Sequence, residues 1–138
     1  MTTILCIDDE AELREEISEG LVDAGYEVIH ANDGNEGLEM IRKHSPNLVL
    51  SDISMPHKDG FQLLKEIRET YPLFAYTPFI FLSALADKER ILAGLKDGAD
   101  AYITKPFDLE LLLAKIEASL RQVELMEAEN LDTFVLDI

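Results

Sequence analysis

The hydrophobic residues of this chain form two kinds of pattern, short continuous runs and longer spaced series. The continuous runs occupy Ile4–Ile7, Tyr26–Ala31, Leu48–Leu50, Phe79–Leu82 and Ala101–Thr104. Short apolar runs bounded by turn residues are typical of strands, and the wholly apolar ones are typical of strands buried on both faces of a parallel sheet. The runs therefore predict five β-strands.

The spaced series lie between these runs and predict helices. The first contains Leu13, Ile17 and Leu21 at the helical period, and Gly25 ends it. The others are centred on Leu38 and Ile41, on Phe61 to Ile67, on Ile91 and Leu95, and on Leu109 to Val123. Strands and helices thus alternate. This alternation predicts a flavodoxin-like (βα)5 fold: a doubly wound parallel sheet of strand order 2-1-3-4-5, with helices on both faces and an extended last helix.

Composition narrows the classes of protein. With 138 residues, the chain is expected to form essentially one domain. Its net charge of -16 argues against direct nucleic-acid binding and favours cationic partners or divalent metals. No apolar run approaches the ~20 residues of a membrane helix. The first residues lack the basic region and long apolar run of a signal peptide, so none is expected. The single cysteine, Cys6, lies in an apolar run and fits a reducing, cytoplasmic location.

Four of the five predicted strands are followed by polar or charged residues that could bind a ligand or take part in catalysis. Asp8 and Asp9 follow the first strand, Asp52 the third, Ser83 the fourth and Lys105 the fifth. In the predicted order these four strands are neighbours, and their carboxyl ends form the edge where α/β proteins bind ligands. We therefore expect the five side chains to lie close together.

Three carboxylates at one edge repel each other unless a cation binds or their pKa values rise. Oxygen ligands of this kind suit Mg²⁺, Lys105 offers a positive charge to a phosphate, and Ser83 offers a hydroxyl. Together they describe a phosphoryl site in which Asp52, on the central strand, is the best nucleophile and Asp8 and Asp9 hold the metal. Each residue alone has an ordinary interpretation as a helix cap, turn residue or surface lysine. The coincidence of all five favours the site.

Several motifs, in order, resemble the receiver domain of two-component response regulators. They are Ile7-Asp8-Asp9-Glu10, Asp52-Ile53-Ser54-Met55-Pro56, Asp59-Gly60, Ser83-Ala84, Gly98-Ala99-Asp100-Ala101-Tyr102 and Lys105-Pro106-Phe107. The resemblance implies a phosphorylation-dependent signalling switch in which Asp52 accepts a phosphoryl group from a histidine kinase or phosphotransfer protein. It implies no enzyme beyond self-phosphorylation from a phosphodonor and autodephosphorylation.

The resemblance also implies roles for the residues around Asp52. For binding Mg²⁺ it implies Asp9, Asp52 and the backbone carbonyl of Ser54, with Asp8 acting through water. For the response to phosphorylation it implies Ser83 as the hydroxyl that follows the phosphoryl group, Lys105 as its cation and Tyr102 as the aromatic switch. It further implies a cis peptide bond between Lys105 and Pro106.

Two other classes of protein stay open on the residues alone. A phosphatase-like enzyme with an aspartate nucleophile could share the acidic cluster, and it would turn over a small phosphomonoester. A flavodoxin-like binding module would share the architecture. Such a module needs a phosphate loop of Ser, Thr and Gly after the first strand, where this chain has the acidic Asp8-Asp9-Glu10.

The end of the chain departs from the receiver pattern. About four helical turns would cover the sheet and end near Leu120, yet the apolar spacing continues through Val123 without a Gly or Pro. We expect residues 1–121 to form the receiver domain and residues 122–138 to form a helical extension and linker leading to an absent output domain. The apolar residues of this continuation would form a stripe along one side of the helix, and an apolar stripe without a partner usually packs against another helix. We therefore expect a homodimer, formed through the extension or through the face of helix four, strand five and helix five. The alternative is that the extension folds back on its own domain.

Overall fold

The computed structural model describes residues 1–84 and 88–136, with side chains through residue 128 outside that gap. Its strands are β1 (Thr3–Ile7), β2 (Glu27–Ala31), β3 (Leu48–Ser51), β4 (Phe79–Ser83) and β5 (Ala101–Thr104). Its helices are α1 (Ala11–Asp23), α2 (Gly34–His44), α3 (Gly60–Thr70), α4 (Lys88–Lys96) and α5 (Leu109–Leu136).

The strands of the described residues form one parallel sheet in the order β2-β1-β3-β4-β5. The predicted doubly wound fold is therefore confirmed. In the pairing of β1 with β3, Ile7 lies opposite Ser51, which in turn lies opposite Phe81 of β4. Ser83 at the end of β4 lies opposite Thr104 at the end of β5. The residues that follow these four strands consequently emerge on one edge of the sheet.

Both faces of the sheet are covered by helices, because successive residues of a strand point to opposite sides. On one face Ile4 and Cys6 pack with Ile17 of α1, and on the other Leu5 packs with Ile41 of α2. This double burial explains why the strands appear in the sequence as continuous apolar runs. Burial also raises the pKa of the Cys6 thiol to about 12, so this cysteine is a neutral core residue at physiological pH.

The segment between α3 and β4 is held in place by hydrogen bonds. It contains a turn of 3₁₀ helix at Pro72–Phe74. The guanidinium of Arg68 on α3 donates to the backbone carbonyls of Phe74 and Thr77 at 3.1 and 2.9 Å, and to that of Gly98 at 2.9 Å. Arg68 therefore fastens this segment and the start of the α4–β5 connection to α3.

The last helix is longer than the domain needs. Leu112 and Ile116 of α5 are fully buried against the sheet, whereas Leu125 is exposed. The helix nevertheless continues to Leu136, so residues 131–136 are helical where the sequence suggested a linker. No Gly or Pro interrupts it, which removes the usual signals for a helix end. None of the described helices combines the length and apolar composition that crossing a membrane requires.

The connection from β3 to α3 contains a residue in the left-handed region. His57 is exposed and has a φ of 68°. Backbone bonds fix the connection on both sides: the Gly34 amide donates to the Lys58 carbonyl at 3.1 Å, and the Gly60 amide donates to the Ile53 carbonyl at 2.8 Å. The left-handed conformation costs a residue with a Cβ about 1–2 kcal/mol.

Replacing His57 with glycine should raise the free energy of unfolding by up to about 1 kcal/mol, because glycine adopts this φ without steric cost and loses part of the gain to its freedom in the unfolded chain. Urea denaturation measures the change. As a control, Glu39→Gly at an exposed position in the middle of α2 should lower the free energy of unfolding by about 0.5–1 kcal/mol. A similar loss in both variants would contradict the strain at His57.

Candidate functional site

The carboxyl edge of the sheet brings together three residues from three different strand ends. Asp8 directly follows β1, Asp52 follows β3 and Lys105 follows β5. The Lys105 Nζ lies 3.1 Å from Asp8 Oδ2 and 3.2 Å from Asp52 Oδ2. Asp8 is only 2% exposed and Asp52 only 6%. One ammonium group thus bridges two buried carboxylates, and the peptide bond between Lys105 and Pro106 is cis.

Burial has opposite effects on the pKa of the Asp8 carboxyl group and on that of the Lys105 ammonium group. Burial raises the pKa of Asp8, and hydrogen bonds from the Glu10 amide and the Lys105 ammonium only partly oppose it. Burial alone would lower the pKa of Lys105. The hydrogen bond to Asp8 and the charges of Asp52 and Asp8 outweigh burial, so the pKa of Lys105 rises. Lys105 is therefore firmly charged, while Asp8 carries its negative charge at a cost in free energy.

The backbone around Asp52 holds its carboxylate in place. Its Oδ1 accepts a hydrogen bond from the Ile53 amide at 2.6 Å, while its Oδ2 faces Lys105. The Asp52 amide donates to the carbonyl of Ile7 at 2.9 Å. Gly60, at the start of α3, leaves no room for a side chain, because a Cβ there would meet the backbone carbonyl oxygen of Asp52. Close packing of α3 thus fixes the position of this strand end.

Asp8, Glu10 and Asp52 form a cluster of carboxylates. Each offers an oxygen that lies within 4.8 Å of the others. Hard oxygen donors in this number suit Mg²⁺, so the described side chains fit such an ion. Glu10 is a member that the sequence interpretation missed, although it completes the run Asp8-Asp9-Glu10. Its Oε1 lies 4.0 Å from the Lys105 Nζ.

Asp9 and Ser54, the other predicted metal ligands, lie beside this cluster. Both line an open cavity of about 390 Å³ on the solvent side of the site. The remaining lining residues are Ile53, Met55, Pro56, Asp59 and Arg90. Asp9 is exposed, unlike Asp8, and its carboxylate is not part of the group formed by Asp8, Glu10 and Asp52. The acidic residues of the site therefore comprise two buried carboxylates, Asp8 and Asp52, and the exposed side chains of Asp9 and Glu10.

Ser83 and Tyr102 link the site to β5. Ser83 is buried at the end of β4, and Tyr102 is half-buried on β5. Burial raises the pKa of Tyr102, and the charge of Asp52 adds to the effect, whereas a hydrogen bond with the Ser83 side chain opposes it. The Tyr102 ring is thus connected to the site both by a hydrogen bond and by the field of Asp52.

Comparison with known proteins shows what this arrangement resembles. The family model of the response regulator receiver domain matches residues 4–117. The transcriptional regulatory protein DltR of Streptococcus agalactiae is 42% identical over 128 residues, which make up 93% of this chain and 56% of that protein. The response regulator MprA of Mycobacterium leprae is 40% identical over 121 residues, 88% of this chain and 52% of that protein. The chain spans about half the length of these curated relatives.

The fold is also similar to solved structures. A CheY-like response regulator receiver domain protein from Methanospirillum hungatei superposes with a TM-score of 0.84 at 34% sequence identity. The match covers 90% of this chain and 97% of that chain. The similarity therefore extends over nearly the whole of that receiver domain.

The cost of charging Asp8 predicts a pH-dependent stability. Since the pKa of Asp8 is higher in the folded chain than its ordinary value of 3.8, the unfolded chain releases this proton first, and wild type loses stability as the pH rises from 3.8 to the raised value. Asp8→Asn lacks this loss. Its free energy of unfolding relative to wild type should therefore increase as the pH rises through that window.

Urea denaturation at a series of pH values measures this difference. Asp23→Asn, at the exposed end of α1, is the control and should follow wild type at every pH. A difference between Asp8→Asn and wild type that stays constant with pH, or falls as the pH rises, would contradict the raised pKa of Asp8.

Proposed function

The chain belongs to the family of response regulator receiver domains, and from this membership we propose that Asp52 is its phosphoacceptor. Receiver domains are the phosphorylation-dependent switches of two-component signalling and are not classical enzymes, and this chain is one of them. The observation that supports Asp52 is the position of Lys105, whose ammonium lies against a buried carboxylate at the end of the central strand. The family membership favours this function over a phosphatase or a flavodoxin-like binding module.

The proposed donor is the phosphohistidine of a histidine kinase or phosphotransfer protein. An Asp52 carboxylate oxygen attacks phosphorus and forms a P–O bond, while the P–N bond breaks and its electron pair stays on nitrogen; the imidazole, already protonated on its other ring nitrogen, leaves as a neutral ring. Lys105 already contacts Asp52 Oδ2 at 3.2 Å, so it can pair with the new phosphoryl oxygens without a large movement. The same chemistry with a small phosphodonor would give self-phosphorylation, and attack by water would give autodephosphorylation.

The proposed cofactor is Mg²⁺. Asp8, Asp9, Asp52 and the backbone carbonyl of Ser54 would hold it, and Glu10 adds a further oxygen to the described cluster. When bound, Mg²⁺ would neutralise negative charge on the transferring group. Without a cation, the buried carboxylates face one ammonium only, and an anionic donor would be repelled.

The proposed switch passes through Ser83 and Tyr102. A phosphoryl group on Asp52 would offer the Ser83 hydroxyl a new acceptor, in competition with its present hydrogen bond with Tyr102. Tyr102 would then change its partner, and the face of α4, β5 and α5 would change with it. Leu92 and Leu95 are exposed on α4, so this face has apolar side chains to offer a partner.

The proposed partners beyond the kinase are a second copy of the chain and an output domain. Homodimers would form through the face of α4, β5 and α5 or through residues 122–138, the helical extension. The curated relatives are a transcriptional regulator and a response regulator, and the match covers only 56% and 52% of their lengths. DNA binding would then belong to another part of the whole protein, because this chain has a net charge of -16. We place the protein in the cytoplasm, where receiver domains meet kinases.

Asp52→Asn should abolish phosphorylation by acetyl phosphate and Mg²⁺ while the fold survives, since asparagine keeps the shape but loses the nucleophilic oxygen. Intact mass measures an adduct of about 80 Da in wild type. Asp33→Asn is the matched control, because Asp33 follows β2 at the same edge and caps α2 through the Glu36 amide, a role that asparagine can also fill. An undiminished adduct on the Asp52 variant would refute the assignment.

Removing residues 122–138 should weaken self-association. Residues 1–138 and 1–121, each with and without beryllofluoride, can be compared by light scattering, and the full chain with beryllofluoride is expected to give the largest assembly. The core residues Leu112 and Ile116 lie within the shorter chain, so its fold should be retained. If both chains are monomers under every condition, the extension does not mediate self-association.

A further inference from the structure

The open cavity beside Asp52 contains a cation that the proposed phosphoryl transfer does not use. Arg90, in the first half of α4, lines this cavity together with Asp9 and Asp59. Of the described residues that line the cavity, Arg90 alone is positively charged. No described carboxylate forms a salt bridge with its guanidinium.

The other cation of the site, Lys105, already forms ion pairs. Lys105 contacts Asp8 and Asp52 at 3.1 and 3.2 Å, and it remains there to pair with the phosphoryl oxygens. The cavity is lined by Ile53 and Ser54, the two residues that follow Asp52, so it lies where a donor can enter. In phosphoryl transfer the leaving group departs roughly opposite the nucleophile. A leaving group that departs from Asp52 towards solvent therefore meets the cavity and not Lys105.

We propose that Arg90 is a positioning residue for the leaving group of the phosphodonor and favours donors whose leaving group is anionic. The inference rests on the proposed phosphorylation of Asp52 and adds a specificity to it. The acidic groups around the site repel an anionic donor. A guanidinium on the cavity wall offsets that repulsion, and its planar array of N–H donors fits carboxylate oxygens in a way that an ammonium does not.

Two small phosphodonors, acetyl phosphate and phosphoramidate, differ in the charge of their leaving groups. With acetyl phosphate, the Asp52 oxygen bonds to phosphorus, the bond from phosphorus to the acetate oxygen breaks, and acetate leaves as an anion with the electron pair. With phosphoramidate, whose nitrogen is already protonated at neutral pH, the P–N bond breaks and neutral ammonia leaves. Arg90 stabilises the first leaving group and not the second.

The experiment compares the two donors on wild type and on Arg90→Ala, Arg90→Lys and Arg90→Glu, with Mg²⁺, by time courses of intact mass. Arg90→Ala should lower the second-order rate constant with acetyl phosphate about threefold to fivefold, the range that an exposed charge pair gives. The rate constant with phosphoramidate should stay unchanged. Arg90→Lys should retain part of the rate with acetyl phosphate, and Arg90→Glu should lower it further. The differences should shrink at high salt, because screening weakens contacts between exposed charges.

Lys88→Ala is the matched control. It removes the same charge from an exposed position of α4, two residues away and on a different face of the helix, outside the cavity lining. Its ratio of the two rate constants should equal that of wild type. If the Arg90 variants match Lys88→Ala, or lose rate equally with both donors, Arg90 has no role at the leaving group. If wild type accepts no phosphoryl group from either donor, the proposed role of Asp52 fails, and the inference about Arg90 fails with it.

Discussion

The contact of one ammonium group with two buried carboxylates is the interaction on which this site depends. Asp8 and Asp52 sit at adjacent strand ends, and Lys105 holds them at 3.1 and 3.2 Å from a single nitrogen. Two buried negative charges without a cation would repel each other strongly. One positive charge stabilises the pair but leaves a net negative site. A divalent cation at this edge would offset that remaining negative charge.

The negative charge of Asp52 also affects Tyr102, on the neighbouring part of the sheet. Tyr102 lies on β5, opposite Phe81, and the field of Asp52 adds to the rise in its pKa. Ser83, at the end of the strand between β3 and β5, is hydrogen-bonded to the same ring. The charge of Asp52 and the hydrogen bond with Ser83 therefore both act on Tyr102.

Residues at strand ends could be predicted from the sequence because their position follows from topology alone. Once β1, β3 and β5 are recognised, Asp8, Asp52 and Lys105 must emerge on one edge. Arg90 could not be found in this way. Its place depends on how closely α4 approaches the sheet, and that distance is set where Gly94 packs against the rings of Phe61 and Phe81. Such contacts between distant residues leave no periodic signal. The sequence suggested a linker for residues 131–136, which are helical. The apolar spacing that marks α5 weakens towards the end of the chain, but no Gly or Pro is present to end the helix.

The unbroken α5 gives the domain a mechanical property. At 28 residues and 1.5 Å per residue, the helix is about 42 Å long, and its first half is clamped to the sheet by Leu112 and Ile116. If the helix pivots at Ile116, the part beyond it spans about 30 Å, so a tilt of about 5° would move the far end by roughly 2 to 3 Å. A small change in the angle of α5 at the sheet would therefore become a larger displacement at the far end of the helix.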